Sequence, residues 1–345
     1  MFTGKRESSL TKVWQSALDD HVIDLAWSPD GRFLAAASVS GPVAVYDGRS
    51  GQQQWQFKGH SLGAMSLGWH PHGRLLASGG QDGKVRLWDV VEGRETAVLD
   101  GGAAWVEKVA WSDLSKQGRP VLASAAGRAL RFWSEDGDLL REFNDAPSTL
   151  ADLAWKPGKR LLAAAAYGGA RLYHPDHEEM GGVLAWQGSS LALAWSPNGQ
   201  MLATGDQDST VHFWYVHEQR DLQMWGYQTK VRELAWDRNG RYLATGGGDD
   251  VTIWDCRGRK GPEGTRPQQL QRHEDFLTVL AYQRKGDRLL SAGQDGLVVV
   301  WEPARGQRPL ALHPFPAAIS AAAWSPDERQ IVVGLETGEL SFLAI

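Results

Sequence analysis

The chain of 345 residues contains a single cysteine, Cys256, so no internal disulfide can form and a reducing compartment is expected. It has no run of about 18 apolar residues, the length a helix needs to span a bilayer. The opening MFTGKRESSLTKVW carries basic residues with no apolar core behind them, which is not a secretory signal. The expected location is therefore cytoplasmic, with no membrane partner. Excess basic charge is missing too. Against 36 Lys and Arg stand 41 Asp and Glu, and a net charge of −5 gives no global attraction to phosphate, which argues against a nucleic-acid partner. There is no Gly-x-Ser-x-Gly elbow, no phosphate loop, no dinucleotide glycine pattern and no cysteine pair. These absences lead us to expect a protein that is not an enzyme, with no catalytic residues, no cofactor and no metal.

What is present is a repeat, with 17 Trp and 40 Gly as its punctuation. LAWSPDGRFLAAAS (25–38) returns as LGWHPHGRLLASGG, LAWKPGKRLLAAAA, LAWSPNGQMLATGD, LAWDRNGRYLATGG and further variants. Its anchoring aromatics are Trp27, Trp69, Trp111, Trp155, Trp195, Trp236, Tyr282 and Trp324, spaced by 42, 42, 44, 40, 41, 46 and 42 residues. In each unit an alternating strand ends on the anchor and a Ser-Pro-Asp-Gly-like turn follows. Pro presets φ there, Asp bonds its own backbone and Gly accepts positive φ. A Leu/Ala strand, a Gly/Asp turn and two more strands complete the unit. One such sheet cannot bury both faces, but sheets stacked radially cover one another. The last unit supplies only three strands. TKVWQSA (11–17) resembles a fourth strand, and its expected role is to complete that last sheet and remove a free edge. The spacing thus predicts an all-β, closed eight-bladed β-propeller of four-stranded antiparallel sheets, one domain over residues 1–345, monomeric by itself.

The residues resemble the WD-repeat family of β-propellers, whose unit carries Gly-His near its start and Trp-Asp near its end. Gly59-His60, Ser78, Asp82 and Trp88-Asp89 match it in full, and His273, Ser291, Asp295 and Trp301-Glu302 match without the Gly. The resemblance implies that His60, Ser78, Asp82 and Trp88, and likewise His273, Ser291, Asp295 and Trp301, form hydrogen-bonded structural networks. A unit with Thr204, Asp208 and Trp214 has Trp186 where the His belongs. The units of Tyr46, Tyr173 and Phe342 keep little of the pattern.

In such propellers the face around the central channel is the usual binding surface, so the resemblance implies a protein or peptide partner held there by a non-catalytic scaffold. Positions six and four before each anchor should reach that face. They give His21, Met65, Trp105, Glu107, Thr149, Lys230, Arg232, Phe276 and Thr278, and the residue before the turn Asp adds Gln81, Gln207 and Gln294. Aromatics, Arg and Met amid polar groups are the composition of an interaction hot spot. Trp105 and Phe276 are the expected apolar anchors, with Glu107, Lys230 and Arg232 setting charge register.

Other features read more plainly. Trp14 and Trp55 fit packing on fourth strands, whereas Trp186, Trp225 and Tyr227 fit either sheet packing or the channel face. His174-Pro-Asp-His177-Glu178-Glu179 has metal-friendly types but no further ligands, and His70-Pro-His72 is a turn variant. The insert RGRKGPEGTRPQQL (257–270) reads as a mobile, solvated loop. AVYDGRSGQQQW (44–55) is similar to the Trp-docking repeat of quinone-dependent propellers, but occurs once, so a metal-binding or quinone-type enzymatic propeller is only the alternative. Cys256 reads as inert packing.

Overall fold

Apolar alternation resolves into short strands that stop at the turn residues. The computed structural model describes residues 8–113, 118–218, 220–258 and 260–345, and is built of β-strands apart from one 3-10 turn at Pro303–Arg305. Among these residues no helix is long and apolar enough to cross a membrane. The first unit sets the pattern: Val22–Trp27, Phe33–Ser38, Val43–Asp47 and Gln53–Phe57 pair in order as one antiparallel sheet. The strand carrying the anchor is the innermost of each sheet.

The strands group into seven sheets. Counted as hydrogen-bonded sheets the propeller is seven-bladed, which corrects the expectation of eight separate four-stranded blades. The reason lies between Asp152 and Met224, where two repeat units share one six-stranded sheet. Leu162–Tyr173 runs without a break through Tyr167-Gly168-Gly169; its first half pairs with Asp152–Trp155 and its second with Gly182–Trp195. The far half of Gly182–Trp195 then pairs with Met201–Asp206. This sheet carries two anchors, Trp155 and Trp195. It bends sharply enough to enclose its own apolar cluster, with Ala163, Leu172 and Leu184 packed against Trp195 and Trp214.

Thr11–Ala17 pairs antiparallel with Glu339–Ala344, Trp14 opposite Phe342, and supplies the outer strand of the Trp324 sheet. Just before it, Ser8–Ser9 adds a parallel strand outside Ala311–Pro314 of the Tyr282 sheet. Residues 8–17 therefore cross from one sheet to the next, with Leu10 buried between them.

The core lies between neighbouring sheets, as where Trp301, Tyr282 and Leu289 meet Val251, Ile253 and Leu270. Fully burying one such large side chain stabilises by about 1.5–3 kcal/mol. A second linkage runs around the channel at the anchor end. The indole N–H of Trp69 donates to the carbonyl of Ala26, Trp155 to Ala110, Trp195 to Ala154, Trp236 to Ala194 and Trp324 to Ala281, at 2.8–3.1 Å. Each acceptor directly precedes the previous anchor.

Trp14 and Trp55 are packing residues. Trp55 donates to the carbonyl of Val90 at 2.8 Å, and its ring lies 2.7 Å from where a Cβ on Gly93 would stand; Trp14 covers Gly51 in the same way. The docking contact thus occurs twice, because both rings need a turn glycine whose missing side chain leaves room. The insert after Cys256 is not a free loop, which corrects that expectation. Gly261 and Pro262 are buried, Gly261 against Phe213 and Tyr215, the Tyr215 hydroxyl donates to the Lys260 carbonyl, and Glu263 pairs with Arg220.

Candidate functional site

The polar networks are built from one strand pair and one turn. Trp88 Nε1–H donates to Ser78 Oγ at 2.9 Å, Ser78 meets His60 Nε2 at 2.8 Å, and His60 Nδ1 meets Asp82 at 2.8 Å. The Asp82 carboxylate can only accept, so the proton of the neutral His60 ring sits on Nδ1 facing it, and Nε2 accepts the Ser78 O–H. Burial holds the His60 imidazole below its ordinary pKa despite Asp82. Burial pushes Asp82 up, but the His60 ring and the N–H groups of Ser61 and Lys84 outweigh it and hold the carboxyl low. Trp301, Ser291, His273 and Asp295 repeat the chain at 2.8, 2.8 and 3.0 Å. These eight residues tie loops to turns and leave no polar atom free for a ligand.

Two further units solve the same problem with other residues. Tyr227 stands nine residues before Trp236, in the His position, where its hydroxyl accepts from Trp254 Nε1–H at 2.9 Å and meets Thr245 Oγ1 at 2.8 Å. Trp186 packs on the His212 ring, centroids 3.9 Å apart. Both are packing residues, whereas Trp225 is 74% exposed at the channel-face end of its strand.

The channel face is assembled by a recurrent backbone contact. The N–H of Gln81 donates to Gly63 O, Gln207 to Ser189 O and Gln294 to Phe276 O, with Val39 to His21 O and Glu336 to Ala318 O in the same role, at 2.8–3.1 Å. Each pins the turn between second and third strands beside the residue six before the anchor. The position four before the anchor is re-aimed by a bulge. Register shifts fall at Met65, Glu107 and Thr278, and also at Ile23, Leu191 and Ser320. A bulge leaves one residue unpaired and turns its side chain out of the ladder.

Of the residues expected there, Trp105 and Phe276 are 51% and 46% exposed, and Lys230, Arg232, Thr149, Gln207 and Gln294 are also exposed. His21, Met65, Glu107 and Gln81 are half-buried, with Gln81 Nε2 donating to Met65 Sδ at 3.5 Å. Thr278 does not join them. Its hydroxyl donates inward to the Ile319 carbonyl at 2.6 Å, bridging two innermost strands, which removes it from the exposed set.

Below this rim lie groups that the sequence reading missed, three residues before the anchor. Asp24 accepts the Leu67 N–H at 2.7 Å and Asp152 the Leu193 N–H at 2.9 Å, each reaching the next innermost strand. Lys108 Nζ is 3.7 Å from Asp152, and that carboxylate, with Asp24 behind it, holds the ammonium protonated above its usual range. Burial pushes the carboxyls of Asp24, Glu107 and Glu233 up, with Arg232 and Lys108 partly offsetting this at Glu107. The repeat register that found Glu107 would have found these, had the next position been read. Tyr167 was also missed. It is 54% exposed within the strand Leu162–Tyr173, at the place in the repeat that Gln81 holds in its own unit.

The other candidate chemistry does not assemble. Cys256 is buried, and burial pushes its thiol up to about 12, so it carries no thiolate at neutral pH. His174 and His177 stack at 4.2 Å, while Asp176 pairs with Arg160 and Glu178 with Arg141. Among the described residues no three His, Cys, Asp or Glu side chains converge to hold a metal ion.

Residues 21–260 match the family model described as the IFT122 first beta-propeller, and residues 264–302 match the WD domain, G-beta repeat. The chain is 25% identical to the B-type cell cycle switch protein ccs52B of Medicago truncatula over 61% of its length and 52% of that protein. It is 26% identical to Protein FIZZY-RELATED 3 of Arabidopsis thaliana over 61% of its length and 53% of that protein. It is 32% identical to U3 small nucleolar RNA-associated protein 15 of Schizosaccharomyces pombe over 28% of its length and 18% of that protein. The matches thus span about half or less of these relatives. The crystal structure of the computationally designed Ika8 protein superposes with a TM-score of 0.80 at 21% identity, covering 99% of this chain and 100% of that one, a likeness of fold.

Proposed function

Because the chain belongs to the WD-repeat β-propeller family, we propose that it is a non-catalytic interaction scaffold that holds a peptide or protein segment on the face around its channel. The observation that carries this reading is the placement of exposed aromatics. Five large aromatics are exposed among the described residues; the repeat register assigns Trp105, Tyr167 and Phe276 to this face, Trp225 lies just after the outermost strand of its sheet, and Trp55 packs on a fourth strand. Rigid aromatics beside Glu107, Lys230 and Arg232 combine large contact area with charge that fixes orientation. The scaffold's part is preorganisation. Loops far apart in sequence are pinned by backbone hydrogen bonds, so little ordering cost falls on this side of a complex.

The test combines Trp105→Ala, Lys230→Ala and Arg232→Ala and measures affinity for the partner recovered by affinity purification. All three side chains are exposed, so we expect at least about a tenfold loss of affinity with a nearly unchanged melting temperature. Retention of full affinity sinks the proposal, and a large drop in melting temperature with unchanged binding moves Trp105 into the core.

A further inference from the structure

The charge around the exposed aromatics is unevenly placed, and it specifies the chemistry of the partner. The turn after Thr245 carries Asp249 and Asp250, and the loop entering the next sheet carries Glu274 and Asp275 just before exposed Phe276. These segments are neighbours: Leu277 N–H donates to Gly248 O at 2.9 Å and Gln271 Nε2 to Asp250 at 2.9 Å. Around the ring, the turn holding Glu336 meets Asp19 and Asp20 through the Leu18 N–H to Gly338 O bond at 2.9 Å. None of these seven carboxylates has an ion pair among the described residues, although Asp82 in another such turn does, whereas most acidic groups on third and fourth strands have one. Arg272 is the one Lys or Arg in the two segments around Phe276.

Around Phe276 the carboxylates without ion pairs are negative and fit a ligand of the opposite sign, while exposed Lys230 and Arg232, between Trp225 and Phe276 in the chain, bound the acidic stretch on one side. We infer that the channel face takes a basic, extended segment of a partner protein, with apolar side chains on Phe276 and Trp225 and Lys or Arg over the carboxylates of Asp249, Asp250, Glu274 and Asp275. This rests on the channel-face reading above and specifies its partner. Unpaired carboxylates at the rim keep their hydration until a cation arrives, so they set the sign of the partner and the encounter rate, while the aromatics supply contact area.

The probe is a fluorescein-labelled peptide of alternating Lys and Leu, with a Glu and Leu peptide as its opposite, measured by fluorescence anisotropy on the full chain at low and physiological ionic strength. The channel-face variant is Asp249→Asn, Asp250→Asn, Glu274→Gln and Asp275→Asn. A control removes equal charge from loops at the other end of the channel, by Glu92→Gln, Asp136→Asn, Glu179→Gln and Glu218→Gln. We expect the Lys peptide to bind more tightly than the Glu peptide, to weaken with salt, and to lose at least about tenfold in the channel-face variant but not in the control. Equal losses in both variants, tighter binding of the Glu peptide, or no binding of the Lys peptide overturns the inference. If the Glu peptide binds and Phe276→Ala abolishes it, the channel face stands and only its sign falls. If Trp105→Ala and Phe276→Ala leave every affinity unchanged, the channel-face reading falls as well.

Discussion

Asp206 stands where two other units have a glycine beside a histidine. Gly80 has no room for a side chain because the His60 ring fills that space, with its Cβ position 2.7 Å from His60 Cβ. In the Trp195 unit Trp186 stands in the His position and packs on His212, and Asp206, in the glycine position, is fully buried. It accepts from Ser190 Oγ at 2.7 Å and lies 3.4 Å from Thr204 Oγ1, which in turn meets Trp214 Nε1. Burial, with the nearby Asp208 adding to it, raises its pKa from 3.8 to about 7. The native state therefore keeps a proton that the unfolded chain loses above its own lower pKa. The resulting stability is complete below that unfolded value and is lost as pH rises through about 7. We predict that chemical denaturation at pH 5 and pH 8 shows wild type losing up to ~3 kcal/mol more than Asp206→Asn across that interval, since the amide preserves the contact with Ser190 without titrating. Equal losses in both proteins would remove the assignment. His60 and His273 were legible because their spacing to Ser and Asp repeats. Asp206 was not, because its burial against Ser190 and Thr204 depends on strands brought together by the fold.

At the scale of strands and turns, most of what places the site comes from small departures from the ideal unit. The bulge four residues before the anchor is one such departure, and it leaves Glu107 and Met65 out of the ladder register. The turn after Trp324 is another. Glu328 occupies the place of Gly31 and Gly240 with φ of 62°, a left-handed conformation that costs a residue with a Cβ about 1 kcal/mol. Its carboxylate accepts the N–H groups of Lys285 at 2.5 Å and Gly286 at 2.9 Å from the neighbouring turn, which holds it there. Replacing Glu328 with Ala keeps the strain and loses both bonds, whereas Gly loses the bonds and sheds the strain. Thermal unfolding should rank wild type above Ala and Gly above Ala by about 1 kcal/mol. An Ala variant as stable as wild type would mean that the two bonds contribute nothing. Strand order, turns and anchors were readable from alternation and turn chemistry. The bulges were not, because a single unpaired residue leaves the alternation almost intact.

For the whole molecule, closure depends on residues 8–17. Trp14 stacks on Phe342 with centroids 3.4 Å apart, the strand Thr11–Ala17 covers the edge of Glu339–Ala344, and Lys12 pairs with Glu339 at 3.0 Å. A chain beginning after Ala17 exposes that edge, a template for pairing with other chains. We predict a lower melting midpoint and concentration-dependent association by light scattering, both reversed by adding a peptide of residues 8–17. Unchanged melting would show that the ring closes without it. Stability of this kind is shared by neighbouring sheets, so the loss should spread from the Trp324 sheet into its neighbours.

The periodic placement of Trp, Pro, Asp and Gly determined by itself that the chain is all-β, where its units start and which strand lies innermost. Those features are local, since alternation and turn chemistry act over a few residues. Only the tertiary structure decided that two units fuse into one six-stranded sheet, that Thr278 turns inward, that Lys108 meets Asp152, and that acidic loops from separate units lie side by side. Each of these depends on hydrogen bonds or Coulomb forces between residues brought together by curvature of the ring, and that curvature leaves no mark on the order of the letters.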